Sequence, residues 1–372
     1  MNYERKDLNY ERNARAREVL MAERRILSDY DENELKTMLS EYGLKPFQAG
    51  QVYKWVIRGC DFDEMTDVSK ALREKLSESF IARPVTVIKR LVGKDKTEKY
   101  LYGLTDGNVI EGVLMSYKYG RTLCVSTQVG CRMGCRFCAS TLGGLVRNLS
   151  AGEILGQVIA VNRLIGGGLG EKRGITNIVL MGSGEPLDNY DNVVKFLRLC
   201  NAPEGMNVAM RNISLSTCGI VPNIRRLADE NIQVTLTVSL HEAFDDKRKE
   251  IMPIAEKYSV SEIIDAARYY FDRTKRRIIF EYTLIEGKND TPADAREIAR
   301  ILRGLPSHVN LIRLNPVKER NLRSVSSDKA AEFLKTLTDL KVSATLRRQM
   351  GVDIEGACGQ LRRKHLESLE NE

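Results

Sequence analysis

Eight cysteines stand in this 372-residue chain, and three of them, Cys131, Cys135 and Cys138, fall in the spacing C-x3-C-x2-C. Cys124 stands seven residues upstream of the first. Short loops of thiolates hold iron–sulfur clusters, and a cubane given only three protein cysteines keeps one iron open for another ligand. Chemistry would start at that open iron. A zinc knot is the competing reading, but it usually pairs two C-x2-C clips or adds a fourth Cys or His at matching distance. The sequence has no second clip, so the spacing favours a cluster.

Other chemistry-bearing residues sit where the pattern predicts strand ends. Met181-Gly182-Ser183-Gly184-Glu185-Pro186-Leu187 turns directly after the apolar run Ile178–Leu180. Its glycines would let backbone approach a ligand, and Glu185 can accept hydrogen bonds from an ammonium group. Ser216 ends the next predicted strand, Ser239, Leu240 and His241 the one after it, and Asn315 the last. A serine at a strand end commonly satisfies a local backbone donor, but polar ends converging on one mouth favour a cofactor site. Cys358 stands among Gly356, Ala357 and Gly359, small neighbours that leave a sulfur accessible. Together with the unassigned Cys124 it forms a candidate reactive dithiol. Cys60, Cys200 and Cys218 have more ordinary settings and read as structural.

The elements that must position these groups follow from periodicity. Residues 1–25 are charged and read as a solvated helix or a disordered leader. Residues 26–83 read as a small helical accessory domain: Asp31 or Asn33 caps a first helix through Leu35, Met38 and Leu39, ended by Gly43. A second helix, Phe47–Ile57, places Phe47, Val52, Trp55 and Val56 near one face. Trp55 reads as core rather than as a platform for stacking bases. Asp67 or Ser69 opens a third helix through Leu72 and Leu76. Residues 84–118 alternate as strands, with Asp106-Gly107 a hairpin turn, and form a short β linker unit.

From residue 119 to 372, strands and helices alternate. Strands are predicted at 122–126, 175–181, 212–216, 233–240, 278–284 and 310–314, with helices at 151–164, 189–200, 222–230, 259–273 and 292–302. Six such units give an α/β fold, a parallel sheet closed into a partial (β/α)6 barrel, with active groups at the C-terminal strand ends. The Gly166–Gly170 run lacks the GK[ST] ending of a phosphate loop and reads as a flexible connection.

Lys and Arg outnumber Asp and Glu by eight, which favours polyanionic partners but does not by itself show nucleic-acid binding. No apolar run approaches membrane-spanning length, and the charged start has no signal-peptide apolar segment. A cytoplasmic protein with no membrane partner is expected, in keeping with reduced cysteines.

The C-x3-C-x2-C spacing and the GxGEP segment resemble those of radical S-adenosylmethionine (radical SAM) enzymes. In finer detail, from about Leu35 to about Leu361, the chain resembles the RlmN family of dual-specificity ribosomal and transfer RNA adenine-C2 methyltransferases. The matching segments are LKPFQAGQVYKW, LCVSTQVGCRMGCRFCASTLGG, NIVLMGSGEPL, LSTCG, VSLH, NLIRLNP and GACGQL. Ala139–Gly144 looks more like RlmN than its relative Cfr, which modifies adenine carbon-8.

The resemblance implies that Cys131, Cys135 and Cys138 ligate a [4Fe-4S] cluster. It implies S-adenosylmethionine contacts at Gly184, Glu185, Ser216, Ser239, Leu240, His241 and Asn315, with two molecules used per turnover. Cys358 matches the cysteine that carries a methyl group, Cys124 its resolving partner, and Glu111 the family's general base. The implied reaction methylates carbon-2 of adenine in 23S rRNA and some tRNAs through methylated Cys358, a 5′-deoxyadenosyl radical and a Cys124–Cys358 disulfide. An external one-electron reductant such as flavodoxin or ferredoxin and a monomeric enzyme belong to the same picture. A Cfr-like carbon-8 methyltransferase, a radical SAM enzyme with a non-RNA substrate and a non-enzymatic iron–sulfur RNA-binding protein are the alternatives.

Overall fold

The computed structural model describes residues 24–354, apart from Pro316 and Lys318. Cys358 therefore lies outside the described residues, as does the 1–23 leader. Short helices open the chain: α1 (Glu32–Ser40), α2 (Pro46–Ile57) and α3 (Lys70–Ser79). Asp31 caps α1 in a reciprocal box with Glu34, satisfying two backbone donors at once. Pro46 starts α2, where its missing N–H costs nothing. Val52 and Val56 are buried on α2 as expected and Trp55 packs against the core, but Phe47 is 63% exposed. The first turn of α2 projects past the layer it packs on, so helical spacing alone misplaced that ring. Two-residue strands β1 (Arg25–Ile26) and β2 (Phe80–Ile81) pair in parallel and tie the ends of this unit together.

Among the described residues, ten strands form one sheet in the order β14-β13-β12-β11-β10-β9-β6-β5-β4-β3. Its first part is antiparallel: β3 (Val85–Val92), β4 (Glu98–Leu104), β5 (Val109–Tyr117) and β6 (Gly120–Cys124). The Asp106-Gly107 turn joins β4 to β5 as expected, with Gly107 at φ +82. A small hairpin, β7 (Gln128–Gly130) with β8 (Leu145–Asn148), brackets the cysteine loop. Then the parallel part follows through α4 (Ala151–Leu164), β9 (Asn177–Leu180), α5 (Tyr190–Asn201), β10 (Ile213–Thr217), α6 (Val221–Asp229), β11 (Thr235–Ser239), α7 (Asp245–Ile251), α8 (Val260–Thr274), β12 (Ile278–Leu284), α9 (Pro292–Ile301), β13 (Ser307–Arg313), α10 (Ser327–Asp339) and β14 (Ala344–Leu346). The six predicted parallel strands are all present, as a radical SAM α/β fold requires. The β7–β8 hairpin and the short seventh parallel strand β14 were not foreseen, because three- and four-residue strands carry too little periodicity.

The sheet's two faces differ sharply. Register puts Val113 opposite Cys124, Cys124 opposite Val179, Val179 opposite Ser214 and Ser214 opposite Thr235. Directly paired residues share a face, and so do residues two apart on a strand. The inner face therefore carries Glu111, Cys124, Ser214, Ser216, Thr235, Thr237, Ser239 and Glu281. The outer face carries Leu215, Leu236, Val238, Phe280 and Tyr282, all buried in the main core. Parallel strands covered on both sides normally read as continuous apolar runs. Here they alternate because one side lines a polar hollow.

That core continues without a break from the accessory helices through α4 to the sheet. Gly152 on α4 is the point of closest approach. Its N–H donates to Asp29 at 2.6 Å, and an added Cβ would come within 2.7 Å of the Asp29 backbone nitrogen. None of the described helices is long and apolar enough to cross a membrane.

Gly152→Val should lower unfolding free energy by about 2 kcal/mol, since overpacking against backbone typically costs roughly 1–3 kcal/mol. Denaturant titration of the full chain measures it.

Candidate active site

The cysteine loop is folded back onto the C-terminal ends of the parallel strands. Cys131 N–H donates to Gly144 O at 2.8 Å, Cys138 N–H to Cys135 O at 3.1 Å and Arg136 N–H to Ile251 O at 2.9 Å. Cys135 packs in one apolar patch with Cys218, Ile251, Met252, Ile285 and Leu314, against which Phe137 and Cys138 also lie. The Phe137 ring meets the His241 ring edge-on, centroids 4.7 Å apart. This places the aromatic residue of the motif over the end of β11.

Do these sulfurs fit a cluster? Burial pushes the Cys131 thiol up to about 12, and burial followed by the neighbouring Cys138 and Cys131 charges pushes Cys135 up as well. Three sulfurs that feel one another's charge and are costly to ionise in isolation suit a polycationic group that would hold them as thiolates. Among the described residues no three His, Cys, Asp or Glu converge on a single-ion site. A cubane differs in binding each sulfur at a separate iron, so the donor set fits it.

Glu185, 4% exposed, sits beside this loop. Its carboxylate accepts from Leu187 N–H at 3.0 Å and Cys218 N–H at 2.8 Å, while its own N–H donates to Gln128 Oε1 at 2.8 Å. Burial raises its pKa and these amides oppose the rise. Each oxygen keeps a second lone pair for a ligand ammonium. Gly184 lies at φ +108, and an added Cβ would stand 2.7 Å from Gln128 N. Its smallness thus serves the packing of backbone on backbone, where the sequence suggested approach to a ligand.

Ser216 and Ser239 face each other from β10 and β11, hydroxyls 3.4 Å apart. Leu240 and His241 both donate their N–H groups to Glu281 O at 3.1 Å. His241 holds a left-handed backbone, φ +55, fixed further by Asn289 donating to its carbonyl at 2.6 Å. Such strain in a non-glycine residue persists only where its surroundings over-determine it. The imidazole Nδ1 accepts from Thr283 N–H at 3.0 Å, which leaves the proton on Nε2. Burial, with the Arg248 charge second, lowers its pKa to about 3. Asn315 is exposed and accepts from Gln349 at 3.4 Å.

Glu111 and Cys124 lie on the same inner face, both buried, across the junction of β5 and β6. Lys99, without solvent exposure, stands 3.4 Å from the Glu111 carboxylate. Met350 packs against the patch of Val113, Met115 and Cys124. Cys358 lies outside the described residues, four positions beyond Ile354.

Several site residues escaped the sequence reading. Arg248 lies in the charged run Asp245–Glu250, which reads as a solvated helix face, yet it has no exposure. Its guanidinium donates to Leu240 O at 3.0 Å, Cys218 O at 2.7 Å and Ser239 O at 3.3 Å, tying β10 to β11 under the cluster loop. Cys218, read as structural from its setting, belongs to the site: its amide holds Glu185 and its carbonyl holds Arg248. Glu281 was hidden inside an apolar strand, although the alternation in Ile278–Leu284 marked its face. Lys99 gave no local signal.

Arg248→Met should destabilise the protein by about 3 kcal/mol, because three buried carbonyls lose a charged donor. It should also lower iron content after anaerobic reconstitution, read by iron and sulfide assay. His241 should stay neutral at pH 5, visible in nitrogen NMR of the imidazole. With its folded pKa below the unfolded value, it binds fewer protons when folded. Stability should therefore fall with pH from about 6.5 towards 3, by up to about 1.4 kcal/mol per unit, a slope that His241→Gln removes.

Residues 125–301 match the family model for the radical SAM superfamily, and residues 26–82 match that for the ribosomal RNA large subunit methyltransferase N-terminal domain. A probable dual-specificity RNA methyltransferase RlmN from Clostridium perfringens (strain 13 / Type A) is 54% identical, over 91% of this chain and 97% of that one. A protein of the same description from Clostridium acetobutylicum is 49% identical, over 92% and 98%. The crystal structure of a radical SAM methyltransferase from Sphaerobacter thermophilus superposes with a TM-score of 0.86 at 43% identity, covering 90% of this chain and 98% of that one. The chain thus belongs to the RlmN family of dual-specificity RNA methyltransferases, within the radical SAM superfamily.

Proposed function

We propose that this RNA methyltransferase places its methyl group on carbon-2 of adenine in 23S rRNA and in tRNA. The observation that carries the reading is the shared inner face of Glu111 and Cys124 beside the cysteine loop. A proton acceptor and a sulfur together are what a covalent cysteine route needs, and a radical SAM enzyme without that route needs neither.

Cys131, Cys135 and Cys138 would hold the [4Fe-4S] cluster. Gly184, Glu185, Ser216, Ser239, Leu240, His241 and Asn315 would hold S-adenosylmethionine, with Glu185 taking its ammonium group. When bound, these groups supply the one-electron chemistry that breaks an unactivated C–H bond, since an electron-poor aromatic carbon is a poor nucleophile for a sulfonium methyl.

Cys358 carries the methyl carbon as a thioether. Once that carbon is joined to adenine, Glu111 removes the ring proton at carbon-2. The Cys124 sulfur then attacks the Cys358 sulfur. The bond from Cys358 to the product carbon breaks with its electron pair leaving on carbon, and a disulfide remains for an external thiol to reduce. Chain length supports the pairing: four residues from Ile354 to Cys358 reach at most about 14 Å, starting beside the Met350 contact with the Cys124 patch.

An adenine must leave its stack to enter this hollow, so unpaired RNA is the favoured target, drawn by the chain's net charge of +8. A cytoplasmic monomer served by a flavodoxin or ferredoxin completes the proposal. So does a division into a helical accessory unit at 26–83, a β unit at 84–118 and a barrel beyond, which the family-model limits at 26–82 and 125–301 support.

The test is anaerobic reconstitution with dithionite, S-adenosylmethionine and RNA, followed by mass spectrometry of the digested nucleosides. 2-Methyladenosine is expected, and 8-methyladenosine would move the assignment to a Cfr-like activity. Cys358→Ala should abolish product. Cys124→Ala should leave RNA covalently held at Cys358, and multiple turnover without that adduct would remove Cys124 from its role.

A further inference from the structure

Beyond β14 the chain crosses from one edge of the ten-stranded sheet to the turn between β3 and β4 at the other edge. It does so in seven residues, Leu346 to Asp353. Arg347 N–H donates to Leu311 O at 2.8 Å as it departs, and Met350 covers the patch around Cys124 on the way. On arrival the contacts are reciprocal. Gly351 N–H donates to Asp95 Oδ2 at 2.9 Å, and Lys94 N–H donates to Asp353 Oδ2 at 2.9 Å. Each segment thus gives one carboxylate and takes one, and such charge-assisted bonds are stronger than neutral ones.

The turn is shaped for this grip. Asp95 Oδ1 accepts from Thr97 N–H at 3.0 Å inside the turn, leaving Oδ2 to reach outward. A Cβ on Gly93 would stand 3.0 Å from Asp353 Oδ1, so a larger residue would push the incoming segment away. The Asp95 carboxyl is held below its usual range, with the Gly351 amide as the largest cause.

We propose that Asp95 and Asp353 are positioning residues, a clasp that shortens the tether of Cys358 and so raises the effective concentration of its sulfur at Cys124. The proposal rests on reading Cys358 and Cys124 as a reacting pair. With the clasp closed, five residues separate the last anchor, Asp353, from Cys358; with it open, the nearest backbone hydrogen bond is at Arg347, eleven residues away. End-to-end closure weakens as roughly the three-halves power of tether length, so opening the clasp should lower effective concentration about threefold. Neither aspartate touches the residues assigned to cluster, cofactor or proton transfer.

The experiment uses the full chain, cluster-loaded and anaerobic so that Cys131, Cys135 and Cys138 stay occupied. It is equilibrated against glutathione and glutathione disulfide, with the Cys124–Cys358 disulfide quantified by peptide mass spectrometry. Asp95→Ala/Asp353→Ala should form that disulfide with an effective concentration about threefold lower. Asp95→Asn, whose amide oxygen can still accept, should stay near the unsubstituted value. Amide hydrogen exchange should show Lys94 and Gly351 protected in the unsubstituted chain and fast in the double variant. An unchanged effective concentration in the double variant overturns the clasp, and so does fast exchange at both amides in the unsubstituted chain. If the unsubstituted chain forms no Cys124–Cys358 disulfide while both amides are protected, the clasp stands as a contact. The reading of the cysteine pair, and with it the positioning role, is then overturned.

Discussion

The groups at the heart of this site are polar yet mostly buried, and that combination is tolerable only where each finds a partner in the protein. Arg248 shows the constraint most plainly: a guanidinium without solvent access spends its donors on three carbonyls at the ends of two strands. Glu185, Gln128, Gln157 and Asn289 do comparable work with backbone amides and carbonyls around them. Gln157 both donates to Ser126 O and accepts from Ser126 N–H, each at 2.9 Å, and so pins the strand exit next to Glu111. A rigid mouth follows from this mutual satisfaction, since moving one member would strand another.

The antiparallel strands β3 to β5 extend the parallel barrel sheet without a seam, and this extension brings the chemistry that sets the family apart. The parallel strands and the cysteine loop supply groups suited to a cluster and a sulfonium cofactor. Glu111 and its ion-pair partner Lys99 come from β5 and β4, and Cys124 from the strand where the two parts join. A sheet continuous across that junction keeps a proton acceptor and a sulfur in fixed register with the barrel. The segment after β14 then crosses above them and meets the β3–β4 turn, so the two edges of the sheet are held through one strand of chain.

Much of the fold could be read from the chain directly. The helices at 151–164, 259–273 and 292–302 carry capping pairs, Ser150 with Glu153, Ser259 with Glu262 and Thr291 with Asp294, and each forms its box in the structure. The cysteine spacing and the polar strand ends pointed to the mouth. Phe47 was misplaced because periodicity reports a helix face without saying where the neighbouring layer stops. Arg248 and Cys218 were overlooked because a charged heptapeptide and a lone cysteine look the same whether solvated or buried.

The sequence alone determined whatever depends on residues within a few turns of one another: caps, alternation, the three-cysteine spacing and the glycine-rich turn after β9. Local sterics and hydrogen bonding decide these, and they act at short separation. Only the tertiary structure decided which distant groups meet: Arg248 with the carbonyls of Cys218 and Ser239, Lys99 with Glu111, and Asp353 with Lys94, 259 residues away. Those meetings depend on strand register and on the curl of the sheet, which are set by packing the whole apolar face and leave no trace in any short stretch of chain.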